Sequence, residues 1–337
     1  MTQALGDFGI ELLSNKGIAV RCDRRIPDEF PDRRTYSPVP TFAGAMASSK
    51  LPDDLIAEPQ SYSDIRDGDL VWVRVSWVKS FIKQVLPCVK ARFVLITGDS
   101  DSCMPKELGA EGLTLLESPK IAHWYAQNYD GSVESDKISP APIGIDFHTL
   151  SQGPKWGESA SSPHDQEALL KSLAAELRPR EERIQQLYLD FAWNRSWGLR
   201  DYRRWHPLVG TRFHDNRRSV TNKLRNRDAV FCQPGPLSRT ETWRRRGKYA
   251  FVMSPHGLGL DCHRTWEALA LGHIVLVPAS SVDSLYAGLP VVSLQDWNEV
   301  TSDNLKKWFL QFQGNYGIHE KLKSDYWVAK MRAVMKA

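Results

Sequence analysis

Residues 254–267 read Ser-Pro-His-Gly-Leu-Gly-Leu-Asp-Cys-His-Arg-Thr-Trp-Glu and hold the densest set of chemically useful side chains in this 337-residue sequence. An apolar run, Tyr249 to Met253, precedes them, and a second, Ile274 to Val277, follows. That order reads as strand, glycine-rich turn, helix, strand. Gly257 and Gly259 permit backbone angles that let loop amides lie against a ligand. Asp261 is expected to cap the helix at its start and Gly272 to stop it at C′. A helix N-terminus beside bare amides favours a phosphate through its dipole and unpaired donors, and Arg264 strengthens that bias. His263 and Glu267 are four apart and Arg264 and Glu267 three apart, so all three share a face, while Cys262, Trp266 and Leu269 turn to the core. A carboxylate one turn beyond a phosphate suits ribose hydroxyls. The competing reading is an exposed helical ion-pair cluster, worth only ~0.3–0.5 kcal/mol per pair.

Ser254, Pro255, Gly257, Gly259, Asp261 to Leu269, Asp283, Leu285, Tyr286, Leu289, Pro290, Asp296 and Trp297 follow one another so that residues 249–301 resemble the C-terminal signature of the exostosin-like glycosyltransferases. The resemblance implies an α/β fold of two Rossmann-like domains facing across a cleft, the GT-B arrangement, with a nucleotide sugar held by the second. It further implies Arg264 on the diphosphate and Glu267 on the ribose, a UDP-sugar donor, and inversion at the anomeric carbon. The candidate donor-binding set is Asn194, Arg195, Ser254, His256, Gly257, Gly259, His263, Arg264, Glu267 and Asp283. Asn194 and Arg195 fall in the first strand-to-helix loop of the second domain. Tyr286 is a candidate for base stacking or sugar contacts, set against ordinary loop packing.

The elements that would position these residues are legible in part. Leu70–Val75 reads as a strand, Val78–Val89 as a helix interrupted near Pro87, and Arg92–Thr97 as a strand, making a βαβ unit that ends at Gly98-Asp99-Ser100-Asp101. Leu113–Leu116 reads as a short strand, Ile121–Asn128 as a helix, and Ile138–Ile145 as the last strand of a domain spanning residues 1–150. Residues 151–164 are rich in Gly, Ser and Pro and read as a linker. Residues 151–312 form the nucleotide-sugar domain: helices over 165–176 and 180–184, strand 186–192, helix 220–225, strand 229–233, helix 238–246, then the signature. Residues 313–337 are expected to return to the first domain as a helix.

A base for the acceptor hydroxyl should come from the first domain, at the carboxyl edge of its sheet. Asp99 and Asp101 are the candidates, with Asp146 and His123 in reserve; Gly-Asp-Ser-Asp is equally a good turn sequence. The departing diphosphate is served by the helix dipole, Arg264 and one or more of Arg195, Arg200 and Arg239, so no metal and no cofactor are expected. Asp99-Ser100-Asp101 also resembles the carboxylate pair that holds a divalent cation in GT-A transferases, which leaves a metal-dependent transferase as an alternative.

Composition sets the outer limits: 42% hydrophobic and 25% charged residues describe an ordinary soluble chain, and the length suits two domains. No apolar run approaches the ~18–20 residues of a membrane span, and the first thirty residues lack a signal-peptide core. The expected location is cytoplasmic, with a peripheral place at the membrane as a variant, or the Golgi lumen if an anchor has been removed. Five scattered cysteines, Cys22, Cys88, Cys103, Cys232 and Cys262, argue against a disulfide framework or zinc site, and Cys88, Cys232 and Cys262 read as small core residues. Net charge is +4, yet Arg195–Lys248 carries thirteen Arg and two Lys against four acids. That excess makes a polyanion-binding protein, or an inactive transferase relative, the non-enzyme alternative. The expected partners are a nucleotide-sugar donor and a glycan or glycolipid acceptor, with no specific nucleic acid. Oligomeric state has no signature in the sequence.

Overall fold

A computed structural model describes residues 10–26, 59–191, 217–314 and 318–336. Two five-stranded sheets, both wholly parallel, form two α/β lobes facing across a cleft, the fold class expected from the sequence. The first sheet holds β1 (Arg24–Ile26), β2 (Leu70–Arg74), β3 (Phe93–Gly98), β4 (Ile121–Gln127) and β5 (Ile138–Ala141), side by side in chain order. Parallel strands are buried on both faces, so they read as unbroken apolar runs. Leu70 and Trp72 pack on one face of β2, and Val71 and Val73 on the other.

That double burial explains two differences from the sequence reading. Residues 121–127 are a strand, not a helix: His123 and Tyr125 point one way and Trp124 and Ala126 the other, paired with Val94–Thr97. Apolar side chains on both faces erase the period-2 signal, leaving aromatic and β-branched content as the only cue. Conversely, Leu113–Leu116 lies in a helix, Ala110–Glu117, whose Gly112 packs against Pro105. The segment read as helix 78–89 is one turn of α-helix, Val78–Ser80, continued by a π-turn, Phe81–Val85.

The second sheet holds β6 (Ile184–Leu189), β7 (Val230–Cys232), β8 (Tyr249–Met253), β9 (Ile274–Pro278) and β10 (Val291–Leu294), in the spatial order β10-β9-β8-β6-β7. Counted from its own first strand this is 2-1-3-4-5, a doubly wound order whose direction reverses between β6 and β8. Arg217–Leu224 leads into β7, and His263–Ala270 leads from β8 into β9. Gly272, with φ +76°, ends the second of these helices as expected.

The lobes share one core. Leu170 and Leu173 of the long helix Pro163–Glu176, Trp243, Trp266 and Leu269 of the second lobe, and Ile10, Ile18 and Trp72 of the first belong to a single buried cluster. The C-terminal helix, Ser324–Ala333, lies against Asn15–Arg21 of the first lobe. Leu13 N–H donates to Leu322 O (2.7 Å), and Arg332 grips Asp23 through both Nη atoms at 2.8 and 2.9 Å. The Trp327 indole stands edge-on to Trp266, with ring centres 6.2 Å apart. Residues 151–164, read as a linker, end in the helices His148–Gln152 and Pro163–Glu176 and are tied down between them: Ser161 N–H donates to Leu150 O (3.2 Å), and Thr240 N–H donates to the Glu158 carboxylate. Cys22 and Cys103 are the buried cysteines, whereas Cys88, Cys232 and Cys262, expected in the core, are half-buried. All five are free thiols. Among the described residues no helix is long and apolar enough to cross a membrane.

Candidate functional site: the crevice between the lobes

The chain reversal between β6 and β8 opens a crevice at their carboxyl ends, the place where open α/β sheets take ligands. Asp190 and Phe191 follow β6 directly. Arg246 donates to Asp190 Oδ2 through Nε (3.0 Å) and Nη2 (2.7 Å), and Arg264 Nε lies 3.5 Å from Asp190 Oδ1. The Arg264 guanidinium also lies over the Phe191 ring at 5.8 Å. Arg264 therefore spans the gap from the helix after β8 to the end of β6. Arg217, in the helix leading into β7, donates from Nε to His256 O at 3.4 Å. Burial lowers the Arg264 pKa to about 10, and repulsion by Arg217 is the next cause, ahead of the relief that Asp190 gives. Two guanidiniums, one on the second residue of the helix after β8 and one in the helix leading into β7, thus converge on the loop between β8 and its helix.

Glu267, one turn on, is held by Arg239 Nη2 at 2.9 Å and Trp243 Nε1 at 3.3 Å, with Arg246 Nη1 at 3.9 Å. The Arg239 guanidinium sits between the rings of Trp156 (5.2 Å) and Trp243 (4.5 Å). Arg239 also donates to Gln166 Oε1 (2.6 Å) and to Asp146 O across the cleft. Arg239, Arg246 and Arg264 gather around two carboxylates, Asp190 and Glu267, with Arg217 beside the loop that follows β8.

The glycine loop has a different task from the one its sequence suggests. A Cβ on Gly259 would stand 2.4 Å from Asn128 Nδ2, so this glycine admits the first lobe rather than a ligand. Gly257 N–H is taken by Gly259 O (3.1 Å). Asp261 does not cap the helix; Cys262 occupies that position without a side-chain bond. Buried Asp261 instead accepts from Ile143 N (2.8 Å), Trp266 Nε1 (2.9 Å) and Tyr286 OH (2.9 Å), and burial raises its pKa despite these donors. Tyr286, buried against Trp266, offers no open face for a base. Ser254 Oγ bonds Thr265 Oγ1 (2.8 Å) beneath the loop. Asp283 accepts from Ser280 N–H (3.1 Å) in a local turn. His256 donates from Nδ1 to Leu260 O (2.9 Å), and burial lowers its pKa to about 4.

On the first lobe, Asp99 is locked in ion pairs with Lys16 and Arg74, whose side chains are 3% exposed. Burial opposes its ionisation, but the two cations outweigh that and hold its pKa below the usual value. A carboxylate so matched is a poor proton acceptor, which argues against Asp99 as the base. Asp101 lies exposed in the turn after β3. His123 sits near the amino end of β4, bonded to Ser139 Oγ (2.9 Å), away from the carboxyl edge. Asp146, by contrast, reaches the cleft with His148 and His263. His148 Nδ1 lies 3.1 Å from Asp146 Oδ1, His263 Nδ1 donates to Gly144 O (2.6 Å), and the two rings are 5.6 Å apart. Gly144 has φ +68°, and a Cβ there would strike Leu13 O, so glycine alone fits the backbone that receives His263.

Asp146, His148 and His263 have ligand atoms within 4.8 Å of one another, yet the surroundings speak against a cation there. His263 opens a helix, whose N-terminus is positive, Arg239 is bonded to Asp146 O, and only one of the three side chains is a carboxylate. Asn194, Arg195 and Arg200 lie outside the described residues. Sequence reasoning missed Arg217, Asp190, Arg246 and His148. The spacing Asp146-Phe147-His148 at the end of the first lobe was the available signal for the last.

No protein-family model matches the chain, and no curated protein matches it. Solved structures are similar to it at a distance, three among them as follows. One is an E. coli trehalose-6-phosphate structure bound with UDP-2-fluoro glucose, at 12% identity over 82% of this chain and 75% of that one, with TM-score 0.36. Another is an α-glucosyltransferase in complex with UDP and a 13-mer DNA, at 9% identity over 83% of each chain, with TM-score 0.34. The third is an α1,3-fucosyltransferase with GDP, at 12% identity over 80% of this chain and 78% of that one, with TM-score 0.33.

Proposed function

We propose that the protein is a glycosyltransferase that takes a sugar from a nucleotide-sugar donor and passes it to a glycan or glycolipid acceptor. The observation that carries this reading is the convergence of two guanidiniums at the chain reversal, Arg264 reaching Asp190 after β6 and Arg217 bonded to His256 O in the loop after β8. Guanidiniums gathered in a half-buried crevice suit a diphosphate, and preorganised donors there stabilise the charge of a departing nucleotide. Glu267 keeps lone pairs beyond those given to Arg239 and Trp243, which suits ribose hydroxyls. With guanidiniums and helix dipoles on the leaving group, transfer needs neither a divalent cation nor a cofactor. A UDP-sugar donor and inversion at the anomeric carbon rest on the sequence resemblance. The polyanion-binding alternative is weakened by the helix Arg239–Arg246, where Arg239 and Arg246 are buried in ion pairs instead of forming a basic face.

A calorimetric panel of nucleotides and nucleotide sugars, with magnesium and with EDTA, tests the proposal. A nucleoside diphosphate and its sugar should bind equally in both buffers, and bind more weakly in Arg264→Ala and Arg217→Ala. Absence of binding by every nucleotide sugar sinks the assignment, and binding that vanishes in EDTA sinks its metal-independent form.

A further inference from the structure

Resting on that reading, we propose that His148, oriented by Asp146, is the base that takes the acceptor's proton. Asp146 is pinned from three sides. Thr149 donates to it through N–H (2.9 Å) and Oγ1 (2.7 Å), and Arg239 of the other lobe holds its backbone carbonyl. Its Oδ1 lies 3.1 Å from His148 Nδ1, which assigns the proton to Nδ1 and the lone pair to Nε2. The carboxylate thus fixes the tautomer and stabilises the imidazolium once it forms, the logic of an acid-supported histidine base.

The charged and titratable groups facing His148 come from four elements: Asp146 on its own loop, His263 from the second lobe, Asp99 after β3, and Lys16 of the first helix. Burial lowers the His148 pKa, Asp146 opposes that, and His263 adds to it, so the ring is neutral at pH 7. His263 begins the same helix that carries Arg264 as its second residue, so the ring that faces His148 and the arginine that reaches Asp190 are neighbours in the chain. In the transfer step the acceptor O–H bond breaks and its proton goes to His148 Nε2. The freed oxygen pair bonds the anomeric carbon. The bond from that carbon to the diphosphate oxygen breaks, and its electron pair leaves with the diphosphate beside Arg264 and Arg217.

Release of nucleoside diphosphate from a bound UDP-sugar, with water as acceptor, reads the base without knowledge of the natural acceptor. Wild type, His148→Ala, His148→Gln and Asp146→Asn are compared from pH 5 to 9, with UDP affinity measured in parallel. We expect His148→Ala to lose ~10²–10⁴-fold in rate with UDP affinity kept within about twofold, partial rescue by imidazole, and loss of the acid limb that wild type shows below about pH 6.5. Asp146→Asn should keep that limb but shift it. A His148→Ala enzyme that keeps more than about a tenth of the rate, or an unchanged pH profile, overturns the assignment. So does wild-type activity that disappears in EDTA and returns with zinc or manganese, which would make the three side chains a metal site. If wild type neither binds nor cleaves any nucleotide sugar, the transferase reading fails and this inference falls with it.

Discussion

Arg264 and Arg217 are of like charge and lie close together, so each should be missed more in a complex with a diphosphate than in the free protein. A charge-assisted bond to phosphate contributes about 1.5–3 kcal/mol, so either alanine variant should weaken UDP binding roughly 10- to 100-fold by calorimetry, with little change in melting temperature. Asp99 should behave in the opposite way. Asp99→Asn strands Lys16 and Arg74 in the interior, and loss of one partner of a buried ion pair costs about 3–5 kcal/mol. A lowered urea midpoint is expected, and a fully stable Asp99→Asn protein that has lost turnover would return Asp99 to the role of base. The sequence placed Arg264 and Glu267 in one crevice but hid which carboxylates are already occupied, because Lys16, Arg74 and Asp99 are brought together only by tertiary structure. Asp190 and Arg217 were illegible for the same reason: each gains meaning from a strand end or helix end that lies far off in the chain.

The segment from β8 to β9 was readable almost residue by residue, since its strands are apolar runs and Gly272 marks its helix end. What misled was the glycine loop. Gly257-Leu258-Gly259 looks like a phosphate cradle in isolation, yet Gly259 is small because Asn128, itself at φ +55°, fills the space. Gly259→Ala should therefore destabilise by about 1–3 kcal/mol through overpacking, and Asn128→Gly, which keeps the left-handed angle, should relieve part of that cost in the double variant. Strictly additive unfolding energies would show that the two residues are independent. The β4 strand failed to declare itself because both its faces are covered, whereas β2 and β3, equally buried, were short β-branched runs bounded by turn residues.

One core cluster runs through both lobes, and Arg239, Asp261 and His263 bridge them with buried hydrogen bonds, so the two should unfold together. Calorimetry should record a single transition; two well-separated peaks would contradict the shared core. Its position should depend on pH through His273, which is buried, and His256, which is half-buried. Burial lowers the pKa of each in the folded state, and for His273 the nearby Arg183 and Arg246 add to it. The unfolded chain binds their protons near pH 6.5, so stability is full above that value and falls as the pH drops towards about 4, the folded value for His256. Urea midpoints at pH 7 and 5 should differ, and His273→Gln should narrow the difference. The contact of Gly259 with Asn128 also limits how such a chain can drift over generations. A bulkier residue at either position is harmful until the other has shrunk, so relatives with a different clasp should have changed both positions, and a chimera joining lobes from two such lineages should fold poorly even where each parent is sound.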